Sequence, residues 1–373
     1  MLRYALVYSR TALLLALGSF AIIATPACSN GGTTPPERHL QAIRELPDGD
    51  HLAVVVHPGI ATADAPREID IFDLTTNSEF RWDVLHDIQE EMHPLRPGTV
   101  AAWAAKADKL FFASARSAVF VTRNGAQQVL HLQMPPNTGF PLDGMSSYTI
   151  SPDGREVAYV FYARDRNDKL YTDLMVQEAS GSTPISVWND GATVLEPAWR
   201  PDARAIAHTD TNNDLVLSDL RGRVLWSIHP ADILPPSASQ SVIEKTVSQF
   251  VRHIQWDPTG QHIGFLMGVP EIKLYVVNSD GSGLHSISFR NAFGLAKHPE
   301  IDTFAWSPDA SRFLISAVST SICDHTALDY KFETGSFPCI SGYDLYLSDS
   351  EGGHLRKISS APSFDVGDIL WIQ

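Results

Sequence analysis

Four carboxylates stand at matching places in the chain. Asp143, Glu196, Asp302 and Asp368 each precede, by a few residues, the aliphatic or aromatic residue that leads into a turn: Ile150, Trp199, Trp306 and Trp371. Carboxylates gathered at the mouth of a channel would hold a cation or a basic side chain. The same residues also suit solvated loop carboxylates. His86, Glu90 and His93 have the spacing of metal ligands on one helix face. Pro94 ends any helix there, however, and Asp83, Asp87 and Glu91 make that side simply charged. Asp210, Asn212 and Asp214 open like a calcium loop but lack its later glycine and glutamate, so a hairpin is predicted. The chain has no Gly-x-Ser-x-Gly elbow, no ordered serine–histidine–aspartate set and no glycine-rich phosphate loop. No catalytic residue, metal or cofactor is assigned.

What must position the carboxylates is a repeat. Ser151-Pro152-Asp153-Gly154 has counterparts in Pro47-Asp48-Gly49, Lys106-Ala107-Asp108, Pro201-Asp202-Ala203, Asp257-Pro258-Thr259-Gly260 and Ser307-Pro308-Asp309-Ala310. The interval is about fifty residues, the mark of a β-propeller. Serine, proline, aspartate and glycine suit a type I turn completed by a left-handed residue. Ala203 and Ala310 stand where glycine is preferred, so their turns are predicted to differ. Each turn is followed by a second hairpin, such as Asp173-Leu174-Met175-Val176 or Tyr343-Asp344-Leu345-Tyr346, and then by a last strand. The chain therefore reads as all-β: a six-bladed propeller of four-stranded antiparallel blades over residues 39–373. The leftover strand Asp368-Ile369-Leu370-Trp371-Ile372 closes the ring against the first blade, with His39–Leu46 competing for that slot.

Strand direction sorts the connections. The tight turns fall at one end of the ring. The long insertions His57–Arg67, Trp82–Thr99, Met134–Ser147, Pro230–Gln249, Arg290–Glu300 and Ser321–Gly342 fall at the other. Binding lives on long loops held by a rigid scaffold, so the working surface is predicted there. Apolar stripes at helical spacing predict helices in Trp82–Met92 and Ser239–Val251, docked on the ring.

Before the repeat, Arg3 and Arg10 flank an n-region, Thr11–Ala24 is apolar, and Thr25-Pro26-Ala27 supplies small residues for cleavage. This predicts an export signal over residues 1–27. Ala24-Thr25-Pro26-Ala27-Cys28 resembles a bacterial lipoprotein signal. The resemblance implies acylation of Cys28 and, with Ser29 next, sorting to an outer membrane. Residues 28–38 form a flexible tether. With Cys28 lipidated, Cys323 and Cys339 remain of the three cysteines. A disulfide between them is expected in an exported compartment and would contribute ~3 kcal/mol; free thiols or a metal pair are the alternatives. Acidic residues number 43 against 28 Lys and Arg, giving a formal charge of −15. That balance disfavours nucleic acid as a partner.

At Trp306-Ser307-Pro308-Asp309, Tyr343-Asp344-Leu345-Tyr346 and Tyr148-Thr149-Ile150-Ser151-Pro152-Asp153-Gly154, the chain resembles the TolB-type propellers, relatives of WD-repeat proteins in bacterial envelopes. The resemblance covers about residues 40–373 and is specific for fold rather than function. Taken with the lipoprotein-like signal and the long loops, the expectation is a non-enzymatic envelope lipoprotein, monomeric and membrane-anchored through lipid, that binds a protein or peptide on its loop-rich face. The alternative is an exported propeller enzyme, a lyase or glycosidase, with a metal or acidic site at the channel mouth.

Overall fold

A computed structural model describes residues 51–57, 68–73, 78–83, 100–104, 106–107, 109–114, 117–122, 127–133, 142–164, 170–189, 196–234, 251–268, 272–287, 289, 301–321, 339–362 and 365–372. All belong to the compact unit His39–Gln373. The export signal, Cys28 and the tether lie outside the described residues, as do His39–Leu46 and Cys323.

Five four-stranded antiparallel sheets are complete blades, each drawn from consecutive strands. The first holds β4 (Val100–Ala104), β5 (Lys109–Ser114), β6 (Ser117–Thr122) and β7 (Gln127–His131). The second holds β8 (Leu142–Ile150), β9 (Glu156–Arg164), β10 (Leu170–Glu178) and β11 (Ile185–Trp188). The third holds β12 (Ala198–Trp199), β13 (Ala205–Thr209), β14 (Leu215–Asp219) and β15 (Val224–Ile228). The fourth holds β16 (Arg252–Trp256), β17 (His262–Gly268), β18 (Ile272–Asn278) and β19 (His285–Ile287). The fifth holds β20 (Ile301–Trp306), β21 (Arg312–Ser321), β22 (Cys339–Asp349) and β23 (Arg356–Pro362). A further sheet is composite: β24 (Asp365–Ile372) pairs antiparallel with β1 (His51–His57), which continues into β2 (Glu68–Asp73) and β3 (Ser78–Asp83). The innermost strands abut one another in the cyclic order β4, β8, β12, β16, β20, β24 and back to β4. This is a β-propeller of four-stranded antiparallel blades.

The core lies between blades. Phe111, Phe120, Tyr159 and Phe161 are fully buried in one interblade cluster. Ile263, Phe265 and Met267 fill another, and Phe304, Phe313 and Ile315 a third. Faces that would be wet in an isolated sheet are apolar here because each blade covers the next.

The turns are stitched by their own side chains. The Ser151 hydroxyl donates to Asp153 Oδ1 (2.7 Å) and accepts the Glu156 N–H (2.9 Å). Ser307 repeats this with Asp309 (2.6 Å) and the Arg312 N–H (2.9 Å). In the fourth blade Asp257 takes the serine's place and accepts the Gln261 N–H (3.0 Å). The expectation that Ala203 and Ala310 distort their turns is corrected. They sit at φ 59° and 58°, beside Gly154 at 67° and Gly260 at 73°. Each alanine N–H closes the same turn, Ala203 to the Arg200 carbonyl (2.8 Å) and Ala310 to that of Ser307 (2.9 Å). Hydrogen bonding around the turn outweighs the left-handed cost, about 1–2 kcal/mol per residue.

Beside three of the turns, a basic or imidazole group covers the tryptophan of the following sheet. Arg200 lies 5.7 Å from the Trp256 ring, and Arg312 lies 5.1 Å from Trp371. His262 stacks on Trp306 at 6.4 Å and is held by the buried Asp257 carboxylate, 2.7 Å from its Nδ1. The indole N–H groups of Trp199, Trp256, Trp306 and Trp371 find no acceptor among the described residues, so these rings act by packing and by cation contact.

Three expected boundaries change. Strand β3 runs through Asp83, so Trp82 belongs to a strand rather than a helix; the remainder of both expected helices lies outside the described residues, apart from Val251. Strand β8 begins at Leu142 and β22 at Cys339, which shortens two insertions. Pro230–Ile233 forms a 3-10 turn at the start of a third.

Candidate functional site

The long connections 58–67, 84–99, 132–141, 229–251, 288–300 and 322–338 all leave the propeller at the end where the innermost strands begin. At that end the innermost strands lose regularity. The pairing of β8 with β9 shifts around Asp143 and again between Ser146 and Thr149. The pairing of β16 with β17 shifts between Arg252 and Gln255, and that of β20 with β21 around Asp302. The β1–β24 pairing shifts between Ile369 and Val366, the stretch that contains Asp368. Ser147, Glu196 and His253 occupy left-handed backbone at φ 51°, 52° and 52°. Bulges re-aim side chains, and non-glycine residues in this conformation cost about 1 kcal/mol or more, a strain that tends to collect at functional sites.

Of the four predicted carboxylates, Asp143, Asp302 and Asp368 therefore sit in strand irregularities, and Glu196 sits two residues before β12. The side chains of Asp143 and Asp368 are not among those described. Glu196 and Asp302 are brought together electrostatically through a residue absent from the sequence prediction, His253. The His253 backbone N–H donates to Glu196 Oε2, and the Asp302 carboxylate acts on the His253 ring. Arg252 adds a positive charge felt by both Glu196 and His253.

Burial pushes the Glu196 carboxyl up to about 7, against the His253 N–H and the Arg252 charge, which favour the carboxylate. Burial likewise pushes the His253 imidazole down to about 4, against the Asp302 charge, with Arg252 adding to the drop. Near neutrality His253 thus carries a neutral imidazole, and its backbone N–H holds a carboxyl group poised between its two states. Such an arrangement can accept a hydrogen-bond donor, pair with a cation or relay a proton.

His253 had a legible signal. It stands three residues before Trp256, as Glu196 does before Trp199 and Asp368 before Trp371. Selecting for carboxylates hid it, because the shared feature is strand position rather than charge.

Three other polar groups are explained by local structure. His208 is fully buried, with Nδ1 3.1 Å from the Thr209 carbonyl, Nε2 3.0 Å from Ser218 Oγ, and its ring against Trp188. Burial raises Asp173 to about 6, and the Ser186 hydroxyl donates to it at 2.5 Å. Asp210 caps the β13–β14 hairpin that the sequence predicted, accepting the Asn212 and Asp214 N–H groups at 2.8 and 2.9 Å. Among the described residues no group of three His, Cys, Asp or Glu is placed to hold a metal, and no helix is long and apolar enough to cross a membrane. Cys339 opens β22 opposite Ser321.

No family model matches the sequence, and no curated protein matches it. Solved structures do resemble its fold. The putative TolB from Agrobacterium tumefaciens overlays on 85% of this chain and 91% of its own, at 12% identity and a TM-score of 0.52. TolB from Acinetobacter baumannii overlays on 87% of this chain and 66% of its own, at 14% identity and a TM-score of 0.53. An oligogalacturonate lyase in complex with manganese overlays on 80% of this chain and 72% of its own, at 13% identity and a TM-score of 0.48. At such identities the TolB likeness defines the fold, a TolB-type β-propeller.

Proposed function

We propose that this chain is a non-enzymatic, lipid-anchored envelope propeller. Its five complete blades and its composite sheet make a ring of six, and the ring binds a protein or peptide at the loop-rich end without a cofactor. Acylation of Cys28, a Cys323–Cys339 disulfide and placement at the periplasmic side of an outer membrane are parts of this reading. The observation that carries it is the convergence of Glu196, His253, Arg252 and Asp302 at the end from which the long connections leave. A rigid ring with irregular strand ends suits presentation of a charged recognition spot among variable loops. There the Glu196 carboxylate takes a basic group of the partner, whose positive charge draws its titration back down.

The test is photo-crosslinking in the native envelope, with the crosslinker at His229 on the loop-rich end or at Asp280 on the tight-turn end. One defined adduct at His229, absent at Asp280 and lost in Glu196→Gln, is expected. Adducts of equal yield at both ends, or an adduct indifferent to Glu196→Gln, would defeat the reading. Palmitate labelling that persists in Cys28→Ser would remove the anchor.

A second reading has its own support. A buried carboxyl near 7 can also serve as a general acid or base, as an exported lyase or glycosidase would use. Turnover of an acidic or neutral oligosaccharide by wild type, with loss of kcat in Glu196→Gln, would favour the enzyme over the binding scaffold.

A further inference from the structure

The tight-turn end carries a surface of the opposite character. Ala203, Arg204, Asp219, Leu220, Arg221 and Arg223 line an open cleft of about 450 Å³ on the third complete blade. Three arginines there face one aspartate, on a chain whose formal charge is −15. Asp219 is committed to its own turn. It accepts the Arg221 and Arg223 N–H groups, both at 3.0 Å, and pairs with Arg223 Nε at 3.1 Å. Among the described residues, the Arg204 and Arg221 side chains have no hydrogen-bond or ion-pair partner. Guanidinium groups are planar forks suited to carboxylates, so the cleft offers two uncommitted carboxylate receptors.

Apolar surface adjoins it. Val224 and Leu225 follow directly on outer strand β15 and are 44% and 42% exposed. Ile185, on outer strand β11 of the preceding blade, is 52% exposed. The two blades are in close contact at this point, since a Cβ on Gly222 would lie 2.4 Å from the Val187 carbonyl oxygen. Exposed aliphatic residues beside unpaired arginines form a composite patch, unlike singly scattered surface apolar residues.

We propose that this cleft is a second interaction surface, and that its occupant is an acidic peptide segment carrying aliphatic residues. Charge complementarity selects acidic groups, and Val224, Leu225 and Ile185 select the aliphatic ones. A peptide is favoured over an anionic membrane for two reasons. The receptor is a concave cleft, and a bilayer surface would meet the field of the whole negative chain, whereas a short segment within a Debye length of about 8 Å meets mainly the arginines.

The experiment uses the mature chain and a fluorescein-labelled peptide alternating glutamate and leucine, read by anisotropy. Saturable binding is expected, weakened at least about tenfold by Arg204→Glu/Arg221→Glu and by raising salt to about 0.5 M. It should be lost when glutamine replaces glutamate in the peptide and kept in Glu196→Gln. Both arginines are exposed, so an unchanged melting temperature identifies a folded double variant; Leu225→Asp supplies a second route to weakened binding. Absence of saturable binding to wild type, equal affinity in the double variant and Leu225→Asp, or binding to phosphatidylglycerol vesicles without binding to the peptide would overturn the proposal.

Discussion

Glu196 and His253 show how one backbone position can carry two chemistries. Both residues sit three before the tryptophan of an innermost strand, and both adopt φ near 52°. Burial then drives their proton equilibria in opposite senses, because it disfavours whichever form is charged. The consequence for stability has a definite sign. The folded Glu196 carboxyl titrates near 7 rather than near its ordinary 4.5. Its neutral form therefore favours folding below the ordinary value, and that contribution disappears as pH rises through about 7. Glu196→Gln keeps the neutral shape at every pH. The melting temperature of wild type minus that of Glu196→Gln should fall as pH rises from about 5 to about 8 in parallel thermal scans. A flat or rising difference would remove the buried carboxyl. Asp309 has the opposite sign. The Ser307 and Ser311 hydroxyls and the Ser311 N–H hold it down at about 2. The advantage of wild type over Asp309→Asn should be full above the usual carboxylate range and vanish as pH falls toward about 2.

At the scale of the element, the turn is more conserved in shape than in residue. Ala310 performs the left-handed role of Gly154 with the same hydrogen bond. Ala310→Gly should relieve that strain against a larger chain-entropy loss, a net gain below about 1 kcal/mol by urea denaturation. Gly222 is a harder requirement. It combines φ 78° with a Cβ position 2.4 Å from the backbone oxygen of the neighbouring blade. Gly222→Ala should cost about 3 kcal/mol in the same measurement, because neither the turn nor the oxygen can yield cheaply. Local patterning made the turns readable, since proline, aspartate and glycine act within four residues. It failed at Trp82, where helical spacing was followed into a segment that pairs Ile69 across a sheet. A periodic stripe does not record which neighbour a strand will find.

For the whole molecule, the decisive element is β24. It lies between β1 and the neighbouring innermost strands β4 and β20, so the two ends of the propeller sequence share one sheet. Trp371 is buried there beneath Arg312 of the preceding blade. Deletion of residues 365–373 should expose the edge of β1 and abolish a single cooperative unfolding transition. Limited proteolysis should then cut first near residues 51–57, and survival of one sharp transition in calorimetry would contradict closure by this strand. The turn end is joined across blades as well: the Lys106 N–H donates to the Pro152 carbonyl (3.1 Å), and its ammonium group reaches the Pro201 carbonyl (2.6 Å).

Local spacing was enough to read the strand-and-turn repeat and the end of the ring that receives the long connections, while the choice of β24 as the strand paired with β1 came from the fold. The repeat and the loop-rich end follow from short-range turn chemistry and from the alternation of strand direction. It took the packing of neighbouring blades to bring the His253 N–H to Glu196 and the Asp302 charge to the His253 ring. The tertiary structure alone placed Arg204, Arg221 and Arg223 around one cleft at the opposite end. These groupings join residues from different blades or different hairpins, and bulges set their positions; neither the distance across a blade boundary nor the effect of burial on a proton is written in local spacing.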